Sequence, residues 1–297
     1  MAQERKALDA TAIAVMVLLT LLWGFQQVAI KMAASDVSLV MQGAIRSAAA
    51  TLLLVAWSRL RGIPLFGRDG TLAAGIAAGT LFGVEFVFIY AGLAYTNASR
   101  MAVFIYLTPP LTALGLHFLV RSERLAPLQW AGVGLAFAGI VLAFLEGFVS
   151  GRSTWVGDLC GVAAAFLWAA TTIVIRTSRL SGAAAEKTAF YQLAISAPIL
   201  LGASLFLLHE PGVVRLTPFA LASLAYQSIA VAFASYLAWF WLLTRYLAAR
   251  LSVLSFLTPL FGVAAGVAFL SEPLRGRFLL AAFLVGAGIV LVNLRRR

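Results

Sequence analysis

Apolar residues run nearly unbroken for stretches the length of a bilayer crossing, and short polar breaks separate them. The runs fall at 11–32, 39–58, 71–94, 101–120, 127–146, 155–176, 187–208, 217–243, 251–270 and 277–294. A hydrocarbon core of about 30 Å needs about 20 residues of helix. The runs are continuously apolar rather than alternating, which predicts helices and not barrel strands. The expected fold class is all-α integral membrane, with ten transmembrane helices. No polar stretch exceeds the length of a loop, so no separate soluble domain is expected. Two runs hold a built-in defect. "LTPPL" at 107–111 and "LTPLF" at 257–261 place proline inside apolar sequence, where it removes a backbone donor and costs a helix interior about 3 kcal/mol.

Composition agrees with the pattern. The chain has 297 residues, 62% hydrophobic and only 11% charged, against about 25% charged in soluble domains. A formal charge of +11 raises the question of nucleic acid. The basic residues lie at the ends of apolar runs, however, which is the pattern of topology signals and lipid headgroup contacts. Placing the N-terminus in the cytoplasm puts 15 basic residues on cytoplasmic segments and 6 on outer ones, with Arg46 inside a span. Both termini are therefore expected in the cytoplasm. The apolar run from Thr11 reads as a retained first span rather than a cleaved signal. The single cysteine, Cys160, excludes an intramolecular disulfide, and no cofactor or metal is expected.

The chain repeats itself. Residues 98–109 and 248–259 share six of twelve positions, Arg100/Arg250, Thr108/Thr258 and Pro109/Pro259 among them. A shift of 149 lays "SERL" (122–125) on "SEPL" and "AGIVL" (138–142) on an identical "AGIVL". At a shift of 145, Trp23 meets Trp168 and Lys31 meets Arg176. The chain thus reads as two related halves, 1–147 and 148–297. Five spans per half, an odd number, orient the halves oppositely in the membrane. Inverted repeats of this kind build many secondary transporters, with the substrate at the midplane between the halves.

Four stretches, "LLWGFQQVAIK", "AIRSAAATLLL", "LAYTNASRMAVFIYLTPPLTAL" and "SERLAPLQWAGVGLAFAGIVL", together with the five-plus-five arrangement, resemble EamA-type members of the drug/metabolite transporter superfamily. The clustering of Trp and Tyr is most similar to the aromatic amino acid exporter (YddG) branch. The resemblance covers nearly the whole chain. It implies a ten-helix exporter of small metabolites in the bacterial inner membrane.

The candidate chemistry is sparse. Phosphate loops, H-E-x-x-H and G-x-S-x-G are missing from the sequence, so transport must run down a gradient or be coupled to one. His117 reads as a packed or interfacial residue, or as a proton relay. Arg46 and Glu85 are intramembrane charges, which usually face a bundle interior. At a shift of 150 they meet Ser196 and Ser235, so the second half lacks both charges. They read as a structural pair or as substrate ligands, arginine for a carboxylate and glutamate for an amine. Trp23, Gln26, Gln27 and Ile30 share one helical face, and Trp168, Thr171, Thr172 and Ile175 repeat the spacing. That face offers hydrogen bonds beside aromatic surface, or glue between helices. Tyr90, Tyr106, Tyr236 and Trp239 add rings suited to a cavity for flat apolar groups, although Tyr90, Tyr95 and Trp241 also suit an interfacial belt. Pro109, Pro110 and Pro259 are expected to kink their spans, either as hinges that gate opposite sides of the site in alternation or as fixed kinks that shape the bundle, with Thr108 and Thr258 turning hydroxyls back to carbonyls at i−4. Gly132, Gly134, Gly139, Gly286 and Gly288 read as close-packing surfaces or a dimer contact.

The sequence reading is an inner-membrane secondary exporter of aromatic or hydrophobic amino acids and analogues, working by alternating access. Its partners are a small-molecule substrate and the lipid bilayer, not nucleic acid, and it acts as a monomer or weak homodimer. The alternatives are an exporter of a different metabolite or of organic cations held by Glu85, and, more remotely, an intramembrane lipid-modifying enzyme.

Overall fold

The computed structural model describes residues 9–67, 69–119, 125–149, 154–246, 254–255, 257–273 and 276–293. Among them every regular element is helical, and the one extended pairing is an isolated bridge between Val37 and Val213. The helices are α1 (Ala10–Met32), α2 (Leu39–Leu60), α3 (Leu72–Gly92), α4 (Ala98–Ile105), α5 (Thr108–Leu119), α6 (Pro127–Val149), α7 (Thr154–Thr177), α8 (Ala185–Gly202), α9 (Pro218–Ala225), α10 (Tyr236–Arg245), α11 (Leu257–Leu270) and α12 (Gly276–Asn293). A π turn, Ala203–Leu207, extends α8, and a ten-residue π segment, Tyr226–Ser235, joins α9 to α10.

Among the described residues, seven helical segments are long and apolar enough to cross a membrane, with α4 and α5 counted together and α9 continuing to Trp239. Three further apolar helices are shorter: Pro127–Ala143, Leu257–Leu270 and Gly276–Leu291. Leu52, Phe206 and Phe283 stand on the outer surface at 72, 79 and 69% exposure. Apolar side chains at that exposure suit a surface solvated by lipid rather than water. The expectation for the two chain ends falls on residues outside the described set.

Small residues set the helix crossings. Gly75, Gly79 and Gly83 form a stripe along α3. A Cβ on Gly79 would lie 2.5 Å from the Tyr191 carbonyl of α8, so glycine lets the two backbones meet. Gly24 of α1 abuts Gly262 of α11 in the same way. Of the glycines expected to pack closely, Gly139 and Gly288 do so between α6 and α12, and Gly132 offers its carbonyl to that contact. Gly134 and Gly286 face open space.

The first proline run behaves differently from a kinked continuous span. The segment at 101–120 is two helices, broken at Tyr106–Leu107. Pro109 and Pro110 then occupy the first turn of α5, where a missing donor costs nothing because no carbonyl precedes it in the helix. Thr108 Oγ1 takes the freed Ile105 carbonyl at 2.7 Å, an i−3 bond rather than the expected i−4. Pro259 likewise sits in the first turn of α11. Thr258 departs from the expectation, since its hydroxyl has no hydrogen-bond partner.

Candidate functional site

The π segment decides where the polar groups meet. A π helix is wider than an α-helix and recurs at functional sites. Here it presents Gln227 inward and delivers Tyr236 at the first position of α10. Opposite stand α2 with Arg46 and α3 with Glu85, Phe86 and Tyr90.

Arg46 is 1% exposed. Its guanidinium lies over the Phe86 ring, 4.1 Å from the centroid. One amino group donates to the Tyr90 hydroxyl at 3.4 Å and the other to the Tyr236 hydroxyl at 3.3 Å. Both distances are long for hydrogen bonds, and Nε has no partner. Glu85 is 3% exposed, and its Oε2 is also unpartnered. The two charges act on each other across the site, but they do not close into a contact ion pair. Both charges are buried, with Arg46 Nε and Glu85 Oε2 unpartnered. A buried cation without a contacting anion costs several kcal/mol. The Phe86 face returns up to about 2 kcal/mol of that.

A second layer fixes Tyr90. Its hydroxyl donates to Gln227 Oε1 at 3.0 Å, and Gln227 Nε2 donates to Gln42 Oε1 at 2.8 Å and Ser223 Oγ at 3.2 Å. Gln42 Nε2 in turn donates to the carbonyls of Ile30 and Val37. Tyr90 is fully buried within this network, so it is not a belt residue. Tyr95, at 52% exposure, fits that role.

The aromatic residues fall into two groups. Tyr106 lies within electrostatic reach of Tyr236 and beside the Thr258 hydroxyl, without hydrogen-bond geometry to it. Trp168 meets Tyr106 edge-to-face at 6.1 Å. Trp23 instead packs on Trp239 at 5.8 Å, and its Nε1 donates to Ser235 Oγ at 2.7 Å. The repeat mates Trp23 and Trp168 thus stand in different clusters. Gln26 and Gln27 are buried, with Gln26 Nε2 and Gln27 Oε1 unpartnered. Thr171 and Thr172 spend their hydroxyls on the carbonyls of Leu167 and Trp168 in their own helix. His117 accepts from the Leu125 amide at 2.8 Å and packs on Trp130, which is the interfacial reading.

Sequence reasoning missed Gln42 and Gln227. Each is a lone amide inside an apolar run, the signal that singled out Gln26. It also missed Arg100 with Asp158, a buried pair at 2.5 Å.

The EamA-like transporter family model matches the chain twice, over residues 10–145 and 155–294. The chain belongs to that family. It is 27% identical over 279 residues to a probable amino-acid metabolite efflux pump of Salmonella typhimurium, covering 92% of this chain and 91% of the relative. The Escherichia coli protein of the same description is 25% identical, with the same coverage. An uncharacterized transporter of Archaeoglobus fulgidus is 30% identical over 59% of this chain and 60% of its own length. A solved crystal structure, 25% identical, superposes with a TM-score of 0.67 and covers 95% of this chain and 97% of the other. This EamA-like protein is therefore a transporter and not an enzyme, a multi-pass protein of the inner membrane built from a tandem repeat. Its partners are a small-molecule substrate and membrane lipid. Arg46 and Tyr90 of the first repeat contact Tyr236 and Gln227 of the second, so this buried cluster joins the two repeats.

Proposed function

We propose that the chain exports amino acids and related metabolites, aromatic and other hydrophobic ones foremost, by alternating access around the Arg46 site. One observation carries this reading: a guanidinium 1% exposed, with a free Nε and no carboxylate in contact. Such a group is completed by a planar anion that pairs with it bidentately. A substrate carboxylate on Arg46 places the α-ammonium toward Glu85 Oε2. The side chain then meets the rings of Phe86, Tyr90, Tyr106 and Tyr236, with Trp168 behind Tyr106. The description of the Salmonella typhimurium and Escherichia coli relatives as probable amino-acid metabolite efflux pumps supports the same class. Trp23, Trp239, Gln26 and Gln27 border the site, while Thr171 and Thr172 shape α7.

The architecture proposed with it is ten spans in two inverted five-helix halves, 1–147 and 148–297, with both termini in the cytoplasm and a monomer or weak homodimer as the working unit. The deciding measurement is flux from proteoliposomes loaded with a panel of amino acids, with and without a proton gradient, with tryptophan set against its carboxamide. Tryptophan should move and the carboxamide should not. Arg46→Ala should lower tryptophan flux by about tenfold or more, the value of one lost charge-assisted pair. Wild-type rates for every amino acid in Arg46→Ala would overturn the site. A second reading, an exporter of organic cations, is favoured by the unpartnered Glu85 oxygen. It requires cation flux that survives Arg46→Ala.

A further inference from the structure

Two polar clasps sit at opposite ends of the molecule and occupy matching places in the internal repeat. The first joins α4 to α7. Arg100 Nη2 donates to Asp158 Oδ2 at 2.5 Å, and Nε donates to both carboxylate oxygens at 3.1 and 3.2 Å. Thr96 Oγ1 donates to Asp158 Oδ1 at 2.6 Å, and Arg100 Nη2 also reaches the Ala143 carbonyl of α6. Lys31 Nζ, at the end of α1, donates to the Thr96 carbonyl at 2.6 Å. Glu272, just after α11, caps α4 by accepting from the amides of Ala98 and Ser99 and from Ser99 Oγ. The backbones are pressed together here: a Cβ on Gly157 would lie 2.6 Å from the Gly92 carbonyl.

The second clasp joins α1 to α10. Asp9, the N-cap of α1, accepts from the Tyr246 hydroxyl at 2.8 Å. Asp9 and Lys31 bracket a 23-residue helix, so the two clasps lie roughly 33 Å apart along it. The sequence supplies their kinship. A shift of 149 lays Asp9 on Asp158, and a shift of 150 lays Thr96 on Tyr246. In each clasp an aspartate near the start of one half's first span accepts a hydroxyl from the other half. With both engaged, Arg46 and Glu85 at the centre are 1 and 3% exposed.

We propose that Arg100–Asp158–Thr96 and Asp9–Tyr246 are paired locks, each holding one face of the transporter closed and each released in turn. The inference rests on the alternating-access reading. If two halves of one fold exchange conformations, a contact broken at one end is matched by its repeat mate held at the other. Arg100 and Asp158 are 7 and 0% exposed with the first lock engaged, so its release requires water to reach them through the opened face.

The test reads conformation without substrate. Cys160 is the only cysteine in the chain, so Cys160→Ser gives a clean background. Thr258→Cys then places a thiol of near-equal size at a site 2% exposed beside Tyr106. A membrane-impermeant maleimide is applied to right-side-out and to inverted membrane vesicles. Asp158→Asn should raise labelling several-fold from one face only, and Asp9→Asn from the other face only. Thr96→Val and Tyr246→Phe, which each delete one hydroxyl, should shift it in the same two directions by less. They decide the matter if Asp158→Asn does not fold. Increases from the same face in both sets, or unchanged rates throughout, would overturn the locks. Because no substrate is used, failure of the amino acid reading would appear only in the flux assay.

Discussion

Arg46 shows how much chemistry rests on one side chain. An arginine in a membrane interior survives by finding partners, and this one has hydroxyls and a ring face but no anion. In the proposed site its strength as a ligand would come from that incompleteness. The tyrosines contact it without neutralising it, which under that proposal leaves the charge to be met by a substrate carboxylate. Glu85 is the complementary case, a carboxylate with one oxygen unpartnered in the same buried region. Glu85→Gln keeps the shape and removes the charge. The variant should reach the membrane at wild-type abundance while amino acid flux falls about tenfold, as expected for one charge-assisted hydrogen bond worth about 1.5 kcal/mol. Flux equal to wild type in proteoliposomes would remove Glu85 from the site. Both residues are legible in sequence as charges inside apolar runs. Their failure to form a contact pair is not, because a difference of an ångström between helices leaves no trace in composition.

At the scale of elements, the prolines and the π segment shape the bundle differently. Proline in the first turn of α5 gives that helix a sharp start, and α4 and α5 meet at a break instead of a bend. The break leaves a two-residue joint, Tyr106–Leu107, that places Tyr106 next to Trp168 and Thr258. If the joint works as a hinge, Pro109→Ala should restore a donor toward Ile105, compete with Thr108 for that carbonyl and favour a continuous helix. Pro109→Ala and Pro259→Ala should then bind substrate with affinity near wild type but transport it several-fold more slowly. Equal rates in both variants would leave the prolines as fixed architecture. The proline motif announces a helix defect in the sequence. Whether that defect becomes a kink or a break depends on Thr108, which bonds both Ile105 and the Ala165 carbonyl of α7. The π segment has no comparable signature. Its residues read as ordinary apolar helix, and the wider turn arises where Gln227 and Ser235 find partners on α1, α2 and α3.

For the whole molecule, the tandem family match and the apolar helices make a repeated membrane transporter, and the charge distribution proposes both termini in the cytoplasm. A reporter enzyme active only in the periplasm, fused after Arg297, should be silent, and strong activity would overturn the five-plus-five inverted topology. Hydrophobic run length and charge placement, read from sequence alone, determined that the chain is helical, membrane-embedded and repeated, because the cost of leaving backbone groups unpaired in lipid permits few other solutions. They also marked Arg46 and Glu85 as charges inside apolar runs. Tertiary structure alone decided which of those groups meet. It buried Tyr90 beside Arg46, sent Trp23 to Ser235 and Trp168 to Tyr106, and set Arg100 against Asp158 across the halves. The physical reason is that helix faces are set by local periodicity, whereas helix neighbours are set by crossings such as the glycine stripe of α3 against α8. One turn of rotation or slide there exchanges every side-chain contact while leaving the hydrophobic pattern unchanged.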